Sequence, residues 1–184
     1  MTFAMMIDTY DYNIIRNDIP VLTRINDEYI NTNCYLSNFY VESENFKTIL
    51  SGFDYKYNIL TRVKQFGHSP MYKPVLYILT NSNIQTPAFD VLQDVLSVAF
   101  FLDKSQDACT WLDYFEVNSN FRQNVAEKQK YKTVGGSMLK ALQQKYIHQG
   151  IEGRSTYDAL NFYYKYGFKR IDDCELYLLW QPQK

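Results

Sequence analysis

The residues best suited to chemistry lie in one stretch, Lys130-Tyr131-Lys132-Thr133-Val134-Gly135-Gly136-Ser137. It follows a strand-like run and opens an amphipathic helix. Paired glycines let a backbone turn sharply and approach a ligand closely. The first amides of a helix have no internal partners and, with the helix dipole, favour an anion such as phosphate. Charge agrees. Residues 119–149 carry six basic side chains and one acidic one, or +5, in a chain whose formal net charge is −1. A plain turn before a helix with solvated lysines would look similar. Two familiar phosphate loops are absent: there is no Gly-x-x-x-x-Gly-Lys-Ser/Thr and no Gly-x-Gly-x-x-Gly.

Other chemistries find less support. Cys34, Cys109 and Cys174 are far apart and odd in number, and His68 and His148 have no paired spacing. Neither a disulfide framework nor a metal site follows, so no metal is expected. The longest apolar run, about Val95–Leu102, has the length of a strand, not of a membrane span. Met1–Ile7 lacks a basic start and a long apolar stretch, so no signal peptide is expected. A cytoplasmic protein with reduced thiols and no membrane partner is the expectation. A net charge of −1 argues against a surface built throughout for nucleic acid.

The 184 residues suit one domain, and 46% hydrophobic with 21% charged residues is an ordinary globular balance. No repeat or flexible linker is evident. The spacing predicts a strand at Asp11–Ile15, a helix over Ile19–Ile30 started by Pro20, and a helix over Phe39–Leu50. Lys73–Thr80 reads as a buried strand. Val95–Leu102 and Thr110–Asn118 read as an antiparallel hairpin across polar residues 103–107. Phe89–Val95 could be helical. Ser137–Gln149 carries one apolar face at helical spacing, with Gly150 placed for a left-handed C-terminus. Ile151–Ser155 is a short strand, and Thr156–Tyr166 a helix stopped by Gly167. Phe168–Ile171 and Glu175–Trp180 are the last strands. The fold class is α+β or α/β around one mixed sheet.

The segment Ala159-Leu160-Asn161-Phe162-Tyr163-Tyr164-Lys165-Tyr166-Gly167-Phe168 resembles the Ala-x-x-Phe/Leu-Tyr-x-Lys-x-Gly-Phe pattern of the GNAT superfamily of acyl-CoA-dependent N-acetyltransferases. The upstream glycines resemble that family's Gln/Arg-x-x-Gly-x-Gly/Ala pyrophosphate loop. Lys130 stands at the Gln/Arg place, Thr133 at the first Gly and Gly135 at the Gly/Ala. Lys130 and Thr133 depart from the usual residues, Thr156 stands where Asn is common, and Asn118–Gln129 is a longer connection than usual. The motif resemblance covers about residues 110–171.

The resemblance implies a single GNAT-like domain over 1–184 with a cofactor-binding core at about 95–171. A splayed strand pair, Thr110–Asn118 and Ile151–Ser155, would form the acyl-CoA cleft. Acetyl-CoA is the implied co-substrate, and acetyl transfer to a primary amine by direct attack is the implied reaction. Its pyrophosphate would rest on Lys132, Thr133, Val134, Gly135, Gly136 and Ser137, with Lys130 and Lys132 adding charge and Lys165 within reach of a phosphate. Main-chain groups near Phe115 and Val117 would bond the pantetheine. Tyr163 takes the family's general-acid place, since a phenol stays protonated at neutral pH. Glu116 and Asp113 are the candidate bases, and strand alternation sets them on opposite faces. Water is an equal alternative. The acceptor would be a small-molecule or peptide amine, and Asp54, Tyr55, Tyr57 and His68 could line its pocket. A non-catalytic acyl-CoA-binding module and an acetyltransferase acting on a protein or tRNA are the competing readings. Dimers are common in that family.

Overall fold

A computed structural model of the chain describes residues 17–25, 28–40, 49–81, 94–104, 109–119, 134–171 and 176–182, with side chains from Ile49 onward. Strands β1 (Asn17–Ile25) and β2 (Glu28–Tyr40) come first. A single 3₁₀ turn (Leu50–Gly52) and helix α1 (Lys56–Phe66) follow. Strands β3 (Lys73–Thr80), β4 (Val95–Asp103) and β5 (Cys109–Val117) lead to helix α2 (Val134–Lys145) and strand β6 (Gly150–Arg154). After a 3₁₀ turn (Tyr157–Ala159) come helix α3 (Leu160–Lys165), β7 (Lys169–Arg170) and β8 (Tyr177–Trp180).

All eight strands form one sheet in the order β1-β2-β3-β4-β5-β6-β8-β7. Each neighbouring pair is antiparallel except β5 and β6. That parallel step needs a crossover, and α2 lies within it. The mixed α+β sheet matches the reading of the sequence.

The strands at the centre are apolar on both sides because both faces are covered. Toward one face, Tyr77, Leu79, Phe101 and Leu112 pack with Met138, Leu139 and Leu142 of α2. Toward the other, Leu76, Ile78, Val98 and Phe100 pack with Leu50, Phe53 and Ile59. Phe100 and Phe101 are adjacent, fully buried and in opposite cores. Truncating either to Ala should cost about 3–5 kcal/mol.

The first quarter of the described chain corrects the sequence reading. Residues 19–25, 28–30 and the start of 39–50 are not helical. Ile19–Ile25 and Glu28–Ile30 belong to an antiparallel pair in which Ile25 faces Glu28 across two residues. Pro20 sits in β1, the outermost strand, where a missing N–H costs no ladder bond on the open side. Of the helix expected over Phe39–Leu50, Phe39 and Tyr40 are β-strand, Ile49 is α-helical and Leu50 opens the 3₁₀ turn, with 41–48 outside the described residues. Asp11–Ile15 and most of Phe89–Val95 also lie outside them.

Gly150 is a second correction. It opens β6 instead of ending a helix in the left-handed region. A Cβ there would meet Cys109 Sγ at 2.6 Å and the Trp180 carbonyl at 3.0 Å. Gly167, at φ 82°, is the glycine that stops a helix, α3, as its position suggested. Among the described residues no helix is long and apolar enough to cross a membrane.

Candidate active site

The pairing of β5 with β6 runs from Cys109–Gly150 to Leu112–Gly153 and then ends. At the same point β5 slips its register with β4. Phe101 faces Leu112 while Phe100 faces Tyr114, so Asp113 is an extra residue. Such a bulge bends a strand and raises its twist. The second half of β5 stays with β4 and departs from β6. A cleft of about 740 Å³ opens there, with Tyr55, Arg62, Trp111, Phe115, Arg154 and Tyr163 among its walls.

The bulge also resets which side chains share a face. Strict alternation puts Asp113 and Glu116 on opposite faces, and that expectation fails. With one residue inserted, Asp113, Tyr114 and Glu116 all lie on the side of the Leu50–Phe66 segment. Phe115 and Val117 lie on the α2 side.

Both carboxylates are engaged. Asp113 accepts from Arg62 Nε at 2.7 Å, Arg62 Nη2 at 3.1 Å and Trp111 Nε1 at 2.9 Å. The bond to Asp113 holds the Arg62 guanidinium still more firmly protonated, against a smaller opposing effect of burial. Glu116 is buried. Its Oε1 accepts the main-chain N–H of Asp54 at 2.9 Å and its Oε2 that of Tyr55 at 3.0 Å. This carboxylate thus serves orphan donors at the start of α1 from a strand about 60 residues away in sequence.

Tyr163 comes from the other side of the cleft. Its ring packs edge-on against Phe162 and Phe168, each with centroids 5.3 Å away, and lies 6.5 Å from Phe115. Desolvation pushes its phenol well above the ordinary tyrosine range, and the neighbouring Tyr55 adds to the shift. The hydroxyl is therefore a proton donor across the whole neutral range.

Main-chain direction in β5 follows from one hydrogen bond. Asn118 N–H donates to the Leu96 carbonyl at 2.9 Å, so the amides of Glu116 and Tyr114, counted back in twos, also face β4. Those of Phe115 and Val117 face the other edge, toward the cleft.

Val134, Gly135, Gly136 and Ser137 form the first described turn of α2, not a sharp turn before it, and neither glycine has positive φ. Here the glycines serve close packing. A Cβ on Gly136 would fall 1.8 Å from Tyr166 Oη, and one on Gly135 would sit 3.2 Å from Val117 and 3.4 Å from Phe162. The pair lets α2 lie tightly against β5 and α3. Lys130, Lys132 and Thr133 lie outside the described residues. Lys165 is exposed at the end of α3 and is not a wall of the cleft.

Sequence reasoning missed Arg62 and Arg154. A lone arginine carries no motif, and only the bulge and the strand divergence reveal that both face one cleft. Of the four acceptor-side candidates Tyr55 is a wall of the cleft, while Tyr57 and His68 are exposed away from it and Asp54 contributes its main-chain N–H to Glu116. Among the described residues no cluster of His, Cys, Asp and Glu could hold a metal ion. Cys109 is a free thiol whose pKa is raised, first by burial and then by Glu152.

No family model matches the sequence, and no curated protein matches it. Solved structures match its shape. AtaT complexed with acetyl-methionyl-tRNAfMet aligns over 79% of this chain and 94% of its own, with a TM-score of 0.52 at 9% identity. An acyl-CoA N-acyltransferase from Pseudomonas aeruginosa aligns over 78% and 97%, with a TM-score of 0.49 at 10% identity. A GNAT-family acetyltransferase from Listeria monocytogenes aligns over 89% and 97%, with a TM-score of 0.45 at 10% identity. The mixed sheet with its single parallel step, and the cleft opening where that step ends, thus place this chain in the fold of the GNAT N-acetyltransferases.

Proposed function

We propose that the protein is an acyl-CoA-dependent N-acetyltransferase that transfers acetyl to a primary amine by direct attack. The observation that carries this reading is the end of β5–β6 pairing at Leu112 and Gly153, beside the Tyr163 phenol. The donors around the cleft fit an acyl-CoA. Phe115 turns its main chain to the cleft as a strand edge does for an added strand. The amides at the start of α2, in the basic stretch 119–149, suit the pyrophosphate, and Lys130 and Lys132 would add charge to it.

When bound, acetyl-CoA supplies an activated acyl group and a thiolate leaving group. The Phe115 N–H would donate to the carbonyl oxygen as negative charge grows on it. The amine must attack neutral, so its ammonium proton has to leave first. Asp113 is tied to Arg62 and Trp111, and Glu116 to the start of α1, so we assign that proton to water admitted by the open cleft. Tyr163 then gives its proton to the departing sulfur, and the proton that the nitrogen loses as the amide forms returns to Tyr163 through water. In this scheme Asp113 and Glu116 position the cleft walls, a change from their role as candidate bases.

AtaT has been seen with a tRNA. The net charge of −1 here gives no comparable support for nucleic acid, and a smaller amine fits the cleft. A thiol-release assay with acetyl-CoA against amines, amino acids, polyamines and peptides tests the reading. Release of free CoA with at least one acceptor is expected. Tight acetyl-CoA binding with no release for any acceptor would make the protein a non-catalytic acyl-CoA-binding module.

A further inference from the structure

The cleft holds one cation that has no carboxylate partner among the described residues. Two arginines reach the cleft, Arg62 and Arg154. Arg62 is neutralised by the two-pronged bond to Asp113. Arg154, at the end of β6, is exposed and has no carboxylate partner among the described residues. Its guanidinium lies 5.9 Å from the centre of the Tyr177 ring. Tyr177 in turn is 5.9 Å from Trp111, whose indole N–H is committed to Asp113. Glu152, two residues back on the same face of β6, is directed at the Cys109 thiol. The guanidinium is thus steadied on an aromatic wall, with no carboxylate on its planar N–H fork among the described residues.

A free primary amine is itself a cation before it reacts. A lone positive charge on its path repels a simple polyamine and attracts an acceptor whose amine is accompanied by an anion. We propose that Arg154, seated on Tyr177, is an anion subsite of the acceptor pocket, and that the acceptor is a small amine bearing a carboxylate or a phosphate. This rests on the acyltransferase reading and adds the substrate class to it. A guanidinium pairs both anions in the same forked geometry, so the chemistry is shared and the source is left to the test.

The experiment compares matched acceptors in the thiol-release assay: phenylalanine, phenylalaninamide and phenethylamine for the carboxylate, and phosphoethanolamine with ethanolamine for the phosphate. The anion-bearing member of at least one set should show kcat/KM roughly 10- to 100-fold above its partners lacking the anion, the range of a charged hydrogen bond. The pair that shows the ratio identifies the anion. In R154Q that ratio should fall at least tenfold, mainly through KM, and R154K should restore part of it. Calorimetric titration of the same compounds reads the subsite even if no acetyl is transferred, with tighter binding of the anionic member in wild type and none of that preference in R154Q. Equal or better performance of the amines lacking the anion in both assays, or a ratio in R154Q within twofold of the wild-type ratio, overturns the subsite. Failure of acetyl-CoA itself to bind overturns the acyltransferase reading and leaves the acceptor titration to decide the subsite.

Discussion

Glu116 Oε2 accepts the main-chain N–H of Tyr55 at 3.0 Å, tying the middle of the sheet to the first residue before α1. Tyr55 and Tyr163 both line the cleft, so this bond fixes one of its walls. Glu116→Ala leaves two donors at a buried site without their acceptor and should cost about 2–4 kcal/mol in denaturant unfolding. Glu116→Gln should lower turnover while preserving the acid limb of the kcat/KM pH profile. Loss of that limb would show that Glu116 acts as a base instead.

Tyr163→Phe should lower turnover by roughly 10²–10⁴ with acetyl-CoA affinity nearly unchanged, because the phenol acts only as the thiolate departs. Steady-state kinetics together with cofactor titration separate the two effects. Turnover within twofold of wild type would remove Tyr163 as the acid.

Tyr146 and Tyr163 both hold their protons more firmly than ordinary tyrosines, chiefly through burial, and Tyr146 also bonds the Tyr77 hydroxyl at 3.0 Å. The sign follows from linkage. The unfolded chain ionises these phenols near ~10, below their folded values, so their contribution to stability is complete below that pH and is lost as pH rises above it. Alkaline difference spectroscopy should show both titrating only as the protein unfolds. Reversible ionisation of either with intact tertiary structure below pH 11 would contradict their burial.

Gly135 and Gly136 should respond differently to alanine. Helix propensity favours Ala by about 1 kcal/mol at either position. At Gly135 the neighbours stand at ordinary or slightly tight distances, so the net change should be small. At Gly136 the new methyl collides with the Tyr166 ring, which packs on Phe162 and cannot simply rotate away, so a loss of about 1–3 kcal/mol is expected. Shortening the ring in G136A/Y166L should recover part of it. Equal thermal midpoints for the two single alanine variants would contradict the packing role.

Much of the described chain from Lys73 onward was legible. Buried strands such as Val75–Leu79 and Val95–Leu102 are continuous apolar runs, and α2 keeps one apolar stripe from Met138 to Leu142. The first strands were not, for a local reason. Val21, Leu22, Ile25, Tyr29 and Ile30 fall at helical spacing by coincidence, and Pro20 serves an edge strand as well as a helix start. Asn26-Asp27, two residue types that tolerate left-handed backbone, was the available hairpin signal.

In the site, the paired glycines and Tyr163 stand out in the sequence by residue type and motif, although Gly135 and Gly136 prove to pack α2 against β5 and α3. Asp113 and Glu116 could not be placed, because a single inserted residue in β5 reverses the parity on which alternation depends. Arg154 escaped because its place on the cleft wall, against Tyr177 and with no carboxylate partner among the described residues, is a property of the assembled fold.

Calorimetric titration of acetyl-CoA into the protein tests the central claim most directly. The account expects saturable binding at one site per chain, weakened at least tenfold when Lys130 and Lys132 are both replaced by Ala. No detectable heat at high protein concentration, or binding indifferent to both lysines, would contradict it.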